Sequence, residues 1–174
     1  MISTPRLDLI SLEPQALRLI QHGEVFELER LLGCSIPAGW VESIPAAERL
    51  AQLETDPDEQ PWLVRAMVLR GTGRIVGQAG FHEPPDADGT VELGYEVVPR
   101  HRRHGYAREA VLALMAWARA TGRVKRFRAC VSPANVPSRE FLDTLGFERA
   151  GHRIDEVDGL ELVLIRQLED SERR

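Results

Sequence analysis

Apolar residues change their spacing several times along the chain, and each change marks an element. From Arg6 to Leu12, Leu7 and Leu9 alternate with Asp8 before the run settles on Leu12, the period of a half-buried strand. Pro14 suits a first helical turn, Leu17 and Ile20 give an apolar stripe, and His22-Gly23 ends it. Val25 to Leu32 is helical again, with Leu28, Leu31 and Leu32 on one face. Gly33 to Ile44 reads as a loop. Pro45 to Thr55 reads as a helix with Leu50 and Leu53 facing in.

Trp62 to Leu69 and Ile75 to Phe81 are rich in β-branched and aromatic residues around the turn Arg70-Gly71-Thr72-Gly73-Arg74, which predicts a hairpin. The turn Glu83 to Gly89 leads into a strand, Thr90 to Val98. From Gly105 to Thr121, the residues Ala107, Ala110, Val111, Leu114, Met115 and Ala118 recur at helical spacing before Gly122. A strand (Val124 to Val131), a short helix (Pro137 to Leu145) and a strand (Phe147 to Val157) follow. Asp158-Gly159 then turns the chain into a last strand, Leu160 to Leu168. The predicted class is α+β, a mixed central β-sheet flanked by helices, with a strand–helix–strand crossover over residues 90–131. No repeat or linker interrupts it, so one domain is expected over 1–168, with a charged tail at 169–174.

Composition narrows the function. A globule of 174 residues buries roughly 70% of its unfolded surface. The net charge is −5, which argues against general nucleic-acid binding and suits a cationic partner. Lys125 is the only lysine, so 21 of the 22 basic residues are arginine. Cys34 and Cys130 lie in unrelated segments without metal-ligand spacing, and two free thiols in a reducing compartment are expected. No apolar run reaches the ~20 residues of a membrane span, and the start lacks a signal-peptide core. A cytoplasmic protein without a membrane partner is expected.

The crossover carries the chemistry. Val97-Val98-Pro99-Arg100-His101-Arg102-Arg103-His104-Gly105-Tyr106-Ala107 joins a strand to the long helix. Gly105 and Ala107 leave the backbone bare where a helix begins, and the amides of that first turn have no internal partner and attract anions. Arg100, Arg102, Arg103 and Arg108 precede any acid until Glu109. Charge alone fits a solvated basic turn equally well. His101-x-x-His104 lacks the further ligands of a metal site, and the flanking arginines repel cations, so no metal is expected.

Arg102-x-x-Gly105-x-Ala107, after a strand Glu92-Leu93-Gly94-Tyr95-Glu96-Val97-Val98-Pro99, resembles the acetyl-CoA signature of the GNAT superfamily of N-acetyltransferases. Asn135-x-x-Ser138 and Leu145-Gly146-Phe147 resemble the family's second CoA region, and the branch most similar is that of ribosomal-protein N-terminal acetyltransferases. The resemblance implies a GNAT-like fold, with acetyl-CoA as cosubstrate. Val97 and Val98 would offer strand backbone to the pantetheine arm. Arg102, Arg103, His104, Gly105, Tyr106 and Ala107 would surround the pyrophosphate. Asn135 would bond the pantetheine amide, and Ser138 would lie near the sulfur. Many members carry a Tyr acid four residues after the Ser138 position, where this chain has Leu142.

The implied reaction is attack of a primary amine (a protein N-terminus or a small molecule) on the thioester within a ternary complex. An ammonium of pKa about 10 is mostly protonated at neutral pH, so a base is useful. Glu92 is the candidate base by strand alternation, with Glu96 and His82 as second choices, and Ser138 the candidate acid. Cys130 has no activating His beside it and is not expected to carry the acyl group. Two other readings remain, a non-catalytic acetyl-CoA-binding module and a ribosome- or RNA-associated protein using the basic turn. Acceptor specificity is expected in residues 22–60 and His82 to Gly89, where Trp40 and Trp62 read equally as pocket lining or core. A monomer or a homodimer is expected.

Overall fold

Leu7 and Leu9 are fully buried while Asp8 between them is half-buried, so the alternation read at the start of the chain becomes a strand. The computed structural model describes residues 1–157 and 159–168. Contacts among them fall into two compact units, Met1–Pro84 with Tyr95–Met115, and Pro85–Gly94 with the chain from Ala116 onward.

In the first unit β1 (Ile2–Ser3) pairs with β2 (Leu7–Ser11). Three helices follow, α1 (Pro14–Gln21), α2 (Val25–Leu32) and α3 (Ala46–Thr55), with a single 3-10 turn, Val41–Ser43, in the intervening loop. Then β3 (Arg65–Leu69) pairs with β2 and with β4 (Arg74–Phe81), all antiparallel. The hairpin is as expected, but β3 starts only at Arg65. Before it, Trp62 C=O accepts from Phe81 N–H at 2.8 Å, and the two rings lie 5.7 Å apart. Leu12, Leu17, Ile20, Leu28, Trp40, Leu50 and Leu63 share one core, each large side chain contributing about 1.5–3 kcal/mol by burial. The apolar face read on α2 is narrower than its leucines suggest: Leu28 is buried, but Leu31 is 43% exposed.

The strand β5 (Thr90–Val97) and the helix α4 (Tyr106–Ala120) each contribute residues to both units. Ala110, Val111, Leu114, Met115 and Ala118 of α4 are buried, the stripe its spacing predicts. In the second unit β5 runs parallel to β6 (Arg126–Val131). The helix α5 (Val136–Thr144) follows. Then β7 (Glu148–Asp155) pairs antiparallel with β8 (Gly159–Gln167), which also lies antiparallel to β6. One parallel pair among antiparallel ones makes the pairing mixed, as the crossover requires. Asp158 of the turn and the charged segment 169–174 lie outside the described residues. No helix among the described residues is long and apolar enough to cross a membrane.

Candidate active site

The loop between β5 and α4 is shaped for a close visitor. Pro99–His101 makes one 3-10 turn, and Arg102 then turns back, its Nε donating to Val97 C=O at 2.9 Å. Arg103 has φ 62°, the one non-glycine residue of positive φ among the described residues. Such a conformation costs about 1–3 kcal/mol and tends to persist where function holds it. Gly105 follows with φ 80°, and the first helical bond runs from Glu109 N–H to Gly105 C=O at 3.1 Å. The amides of Tyr106 and Ala107 therefore precede the helix's own ladder. A Cβ built on Gly105 would meet only Arg6 Nη2, at 3.4 Å, so the bare backbone faces open space. Open amides, the positive end of a 15-residue helix and exposed Arg102, Arg103 and His104 together fit a diphosphate.

His104 Nδ1 lies 2.7 Å from Arg102 C=O, so this nitrogen carries the hydrogen, and the ring stacks on Tyr106 at 5.6 Å. Beneath them sits Arg6, which sequence reasoning missed. Its Nη1 donates to His104 C=O at 3.0 Å, and its guanidinium lies 4.9 Å from the Tyr106 ring centroid. Arg6 also gives its backbone N–H and its Nε to Glu109 at 2.7 and 2.6 Å, and Thr4 Oγ1 donates to the same carboxylate at 2.6 Å. No local spacing announces a bond across 103 residues. Burial would raise the Glu109 carboxyl, but the bonds from Thr4 and Arg6 outweigh it and hold it below its ordinary value of 4.5.

A depressed carboxyl stabilises the fold fully above its unfolded pKa, and loses that contribution as pH falls through its folded value. Wild type should therefore be more stable than Glu109→Gln by a constant margin above about pH 5. The margin should disappear on further acidification. Thermal midpoints of both proteins between pH 7 and 3 check this.

Val98 is less available than expected. Its N–H donates to Val76 C=O at 2.9 Å, and its C=O already accepts from His101 N–H at 2.8 Å, which leaves the second lone pair of that oxygen to an extended ligand. In the second unit the β5–β6 ladder stops at Glu92–Arg128, although β6 continues to Val131. Leu93 and Gly94 thus have no β6 partner, and Ala129 to Val131 pair only with β8. A strand edge left open this way can accept an extended amide chain. Asn135 caps α5, its Oδ1 accepting from Ser138 N–H at 3.3 Å, which leaves its amide NH2 to donate outward. Leu142 is 1% exposed and belongs to the core of its unit.

The candidate bases differ sharply. Glu92 is 6% exposed, with Arg128 Nε at 2.7 Å and Arg153 Nη1 at 3.1 Å from Oε2, and Arg153 Nη2 at 3.0 Å from Oε1. Arg153 Nε also holds Glu161 at 2.8 Å. Both oxygens of Glu92 thus accept charge-assisted bonds from guanidinium groups. Cys130 beside it is pushed up to about 12, by burial first and then by the Glu92 charge, so it stays a thiol at neutral pH. Glu96 is exposed, and Gln78 Nε2 donates to its Oε2 at 3.3 Å. It borders a cavity of about 280 Å³ with Trp40, Ser43, Gly77, Gln78 and Val98. A Cβ on Gly77 would sit 2.2 Å from Glu96 C=O, so only glycine lets β4 approach β5 here. His82 is exposed, and its C=O receives Arg49 Nη1 and Gln52 Nε2 at 3.0 and 2.9 Å. Among the described residues no group of three His, Cys, Asp or Glu is arranged to hold a metal.

Residues 12–148 match the acetyltransferase (GNAT) domain family. The chain belongs to the GNAT family. Over 86 residues it is 36% identical to the uncharacterized N-acetyltransferase YjdG of Bacillus subtilis (strain 168). That match spans 49% of this chain and 49% of the relative, so only about half the relative's length is covered. Among solved structures, a Bordetella pertussis protein described as a GnaT-family acetyltransferase superposes with a TM-score of 0.66 at 23% identity, covering 95% of this chain and 98% of that one. A ribosomal L7/L12 alpha-N-protein acetyltransferase in complex with coenzyme A gives 0.66 at 14% identity, covering 100% and 98%. At such identities the likeness establishes the GNAT fold.

Proposed function

We propose that the protein transfers an acetyl group from acetyl-CoA to a primary amine by direct attack. The observation that carries this reading is the loop at residues 102–107, where positive φ at Arg103 and Gly105 exposes amides at a helix start within a basic segment. Acetyl-CoA, when bound, brings the acetyl group already activated as a thioester. The loop amides with Arg102, Arg103 and His104 hold the pyrophosphate. The open edges at Leu93–Gly94 and at Ala129–Val131 take the pantetheine arm, with Val97 contributing where β5 ends. Asn135 donates its free NH2 to a pantetheine carbonyl.

Glu96 takes the proton as the amine nitrogen bonds to the acetyl carbon and the C–S bond breaks. Glu92, whose lone pairs are committed to Arg128 and Arg153, serves to hold β5, β6 and β7 together. The departing thiolate takes a proton or hydrogen bond from Ser138, because Leu142 supplies none. The test is acetyl-CoA consumption with a panel of amines, read as free thiol and as acetylated product by mass. Equal amounts of thiol and acetylated amine are expected. CoA binding without transfer to any amine would instead make the protein a non-catalytic CoA-binding module.

A further inference from the structure

An acid stands beside the amides assigned to the pyrophosphate, and the chain's own N-terminal segment turns it aside. Glu109 is the acidic residue in the first turn of α4. A carboxylate at such a place is ordinarily drawn to the free amides and the positive end of the helix, where it would compete with a phosphate and repel it. Here it is committed elsewhere. Its Oε1 accepts from Thr4 Oγ1 at 2.6 Å and from Arg6 N–H at 2.7 Å, and its Oε2 accepts from Arg6 Nε at 2.6 Å. The Glu109 side chain is 14% exposed, and burial opposes its charge, but these bonds keep it ionised. The same guanidinium then reaches the loop. Arg6 Nη1 donates to His104 C=O at 3.0 Å, and in a trans peptide the carbonyl and the next N–H point opposite ways, so Gly105 N–H is aimed away from Arg6. Arg6 over Tyr106, with His104 stacked on the same ring, fixes the guanidinium between its two anchors.

We propose that Arg6 is a positioning residue for the cofactor: it holds the Glu109 carboxylate off the loop amides and cancels its charge, leaving the start of α4 to the diphosphate. Arg6 acts through Glu109 and His104 and need not touch CoA. Arg6, the loop and the first turns of α4 all belong to the first unit, so the clamp is complete within it. Without the guanidinium, Glu109 keeps its charge and the helix end that attracts it. The resulting penalty is specific to ligands that bring negative charge to this point. CoA and acetyl-CoA do so; pantetheine, which ends before the pyrophosphate, does not. Removing Glu109 as well takes away the charge together with its keeper, so the second substitution should repair the first. A merely structural tie between the β1–β2 connection and α4 predicts the reverse, a double variant no better than the single one. This inference rests on the cofactor site of the proposed function, and not on the transfer chemistry.

The test is calorimetric titration of CoA and of pantetheine into full-length wild type, Arg6→Gln, Glu109→Gln and the double variant at one ionic strength, each with a thermal melt. Wild type is expected to bind CoA more tightly than pantetheine. Arg6→Gln should bind CoA about tenfold more weakly, the scale of one misplaced charge at a helix end, with pantetheine affinity unchanged. Adding Glu109→Gln should return CoA affinity to within about threefold of wild type. In turnover, Arg6→Gln should raise KM for acetyl-CoA by the same factor and leave kcat as it is. Should Arg6→Gln fail to fold, Arg6→Lys replaces it: one ammonium cannot serve both the carboxylate and His104 C=O as the planar fork does, so the same order of affinities is expected with a smaller loss. Unchanged CoA affinity in a folded Arg6 variant, an equal loss of CoA and pantetheine, or a double variant no better than the single one overturns the proposal. Wild type that binds CoA no more tightly than pantetheine refutes the cofactor site itself, and the proposal with it. Affinities in the expected order without acetylation of any amine support the clamp and refute the acetyltransferase reading instead.

Discussion

Gly105→Val should fold and should lose CoA binding. At φ 80° a β-branched residue is strained whatever space surrounds it, and the only atom near the added Cβ is Arg6 Nη2. The loop must either shift or put methyl groups over the amides of Tyr106 and Ala107. Either outcome removes several charge-assisted bonds at once, each about 1.5–3 kcal/mol, so affinity should fall at least a hundredfold. Calorimetric titration with CoA, alongside a thermal melt, checks both halves of the statement. Unchanged affinity in a folded variant would remove the loop from the cofactor site.

Glu96→Gln and Glu92→Gln should fail in opposite ways. Replacing Glu96 leaves the core intact but removes the proton acceptor, so turnover at neutral pH should drop roughly 10²–10⁴-fold with normal stability. The deficit should shrink at high pH, where free amine is abundant. A deficit equal at every pH would mean that Glu96 only holds the ammonium. Replacing Glu92 should cost stability, because Arg128 and Arg153 lose the carboxylate that pairs them. The loss should be on the order of 2–4 kcal/mol, below the fully buried case because both guanidinium groups are more than a third exposed. Full stability of Glu92→Gln together with lost turnover would return the base to Glu92.

The contrast between these two carboxylates shows what a sequence can and cannot carry. Strand alternation puts Glu92 and Glu96 at equivalent positions, and nothing in the spacing says that one is buried under two arginines and the other exposed beside Gln78. Arg128 and Arg153 reach Glu92 from β6 and β7, across 36 and 61 residues. The amphipathic helix α4, the parallel crossover and the glycine at position 105 were legible because each rests on local chemistry: a 3.6-residue period, a strand–helix–strand order, a bare backbone at a helix start. Arg6 beneath the loop was not legible, since its partner Glu109 lies far along the chain. Leu31 misled because a leucine at helical spacing says nothing of how wide the covering layer is. Trp40 reads equally as core or pocket, and the structure makes it both, a 2% exposed core residue that also borders the small cavity beside Glu96.

The most direct test of the central claim, that CoA is held by the start of α4, is a titration of ¹⁵N-labelled protein with CoA followed at the backbone amides. Gly105, Tyr106 and Ala107 should show the largest downfield shifts, as open amides acquire phosphate oxygens as acceptors. Dephosphorylated pantetheine, which lacks the pyrophosphate, should leave those three signals in place. CoA binding that shifts amides elsewhere while Gly105 to Ala107 stay unmoved would contradict the account.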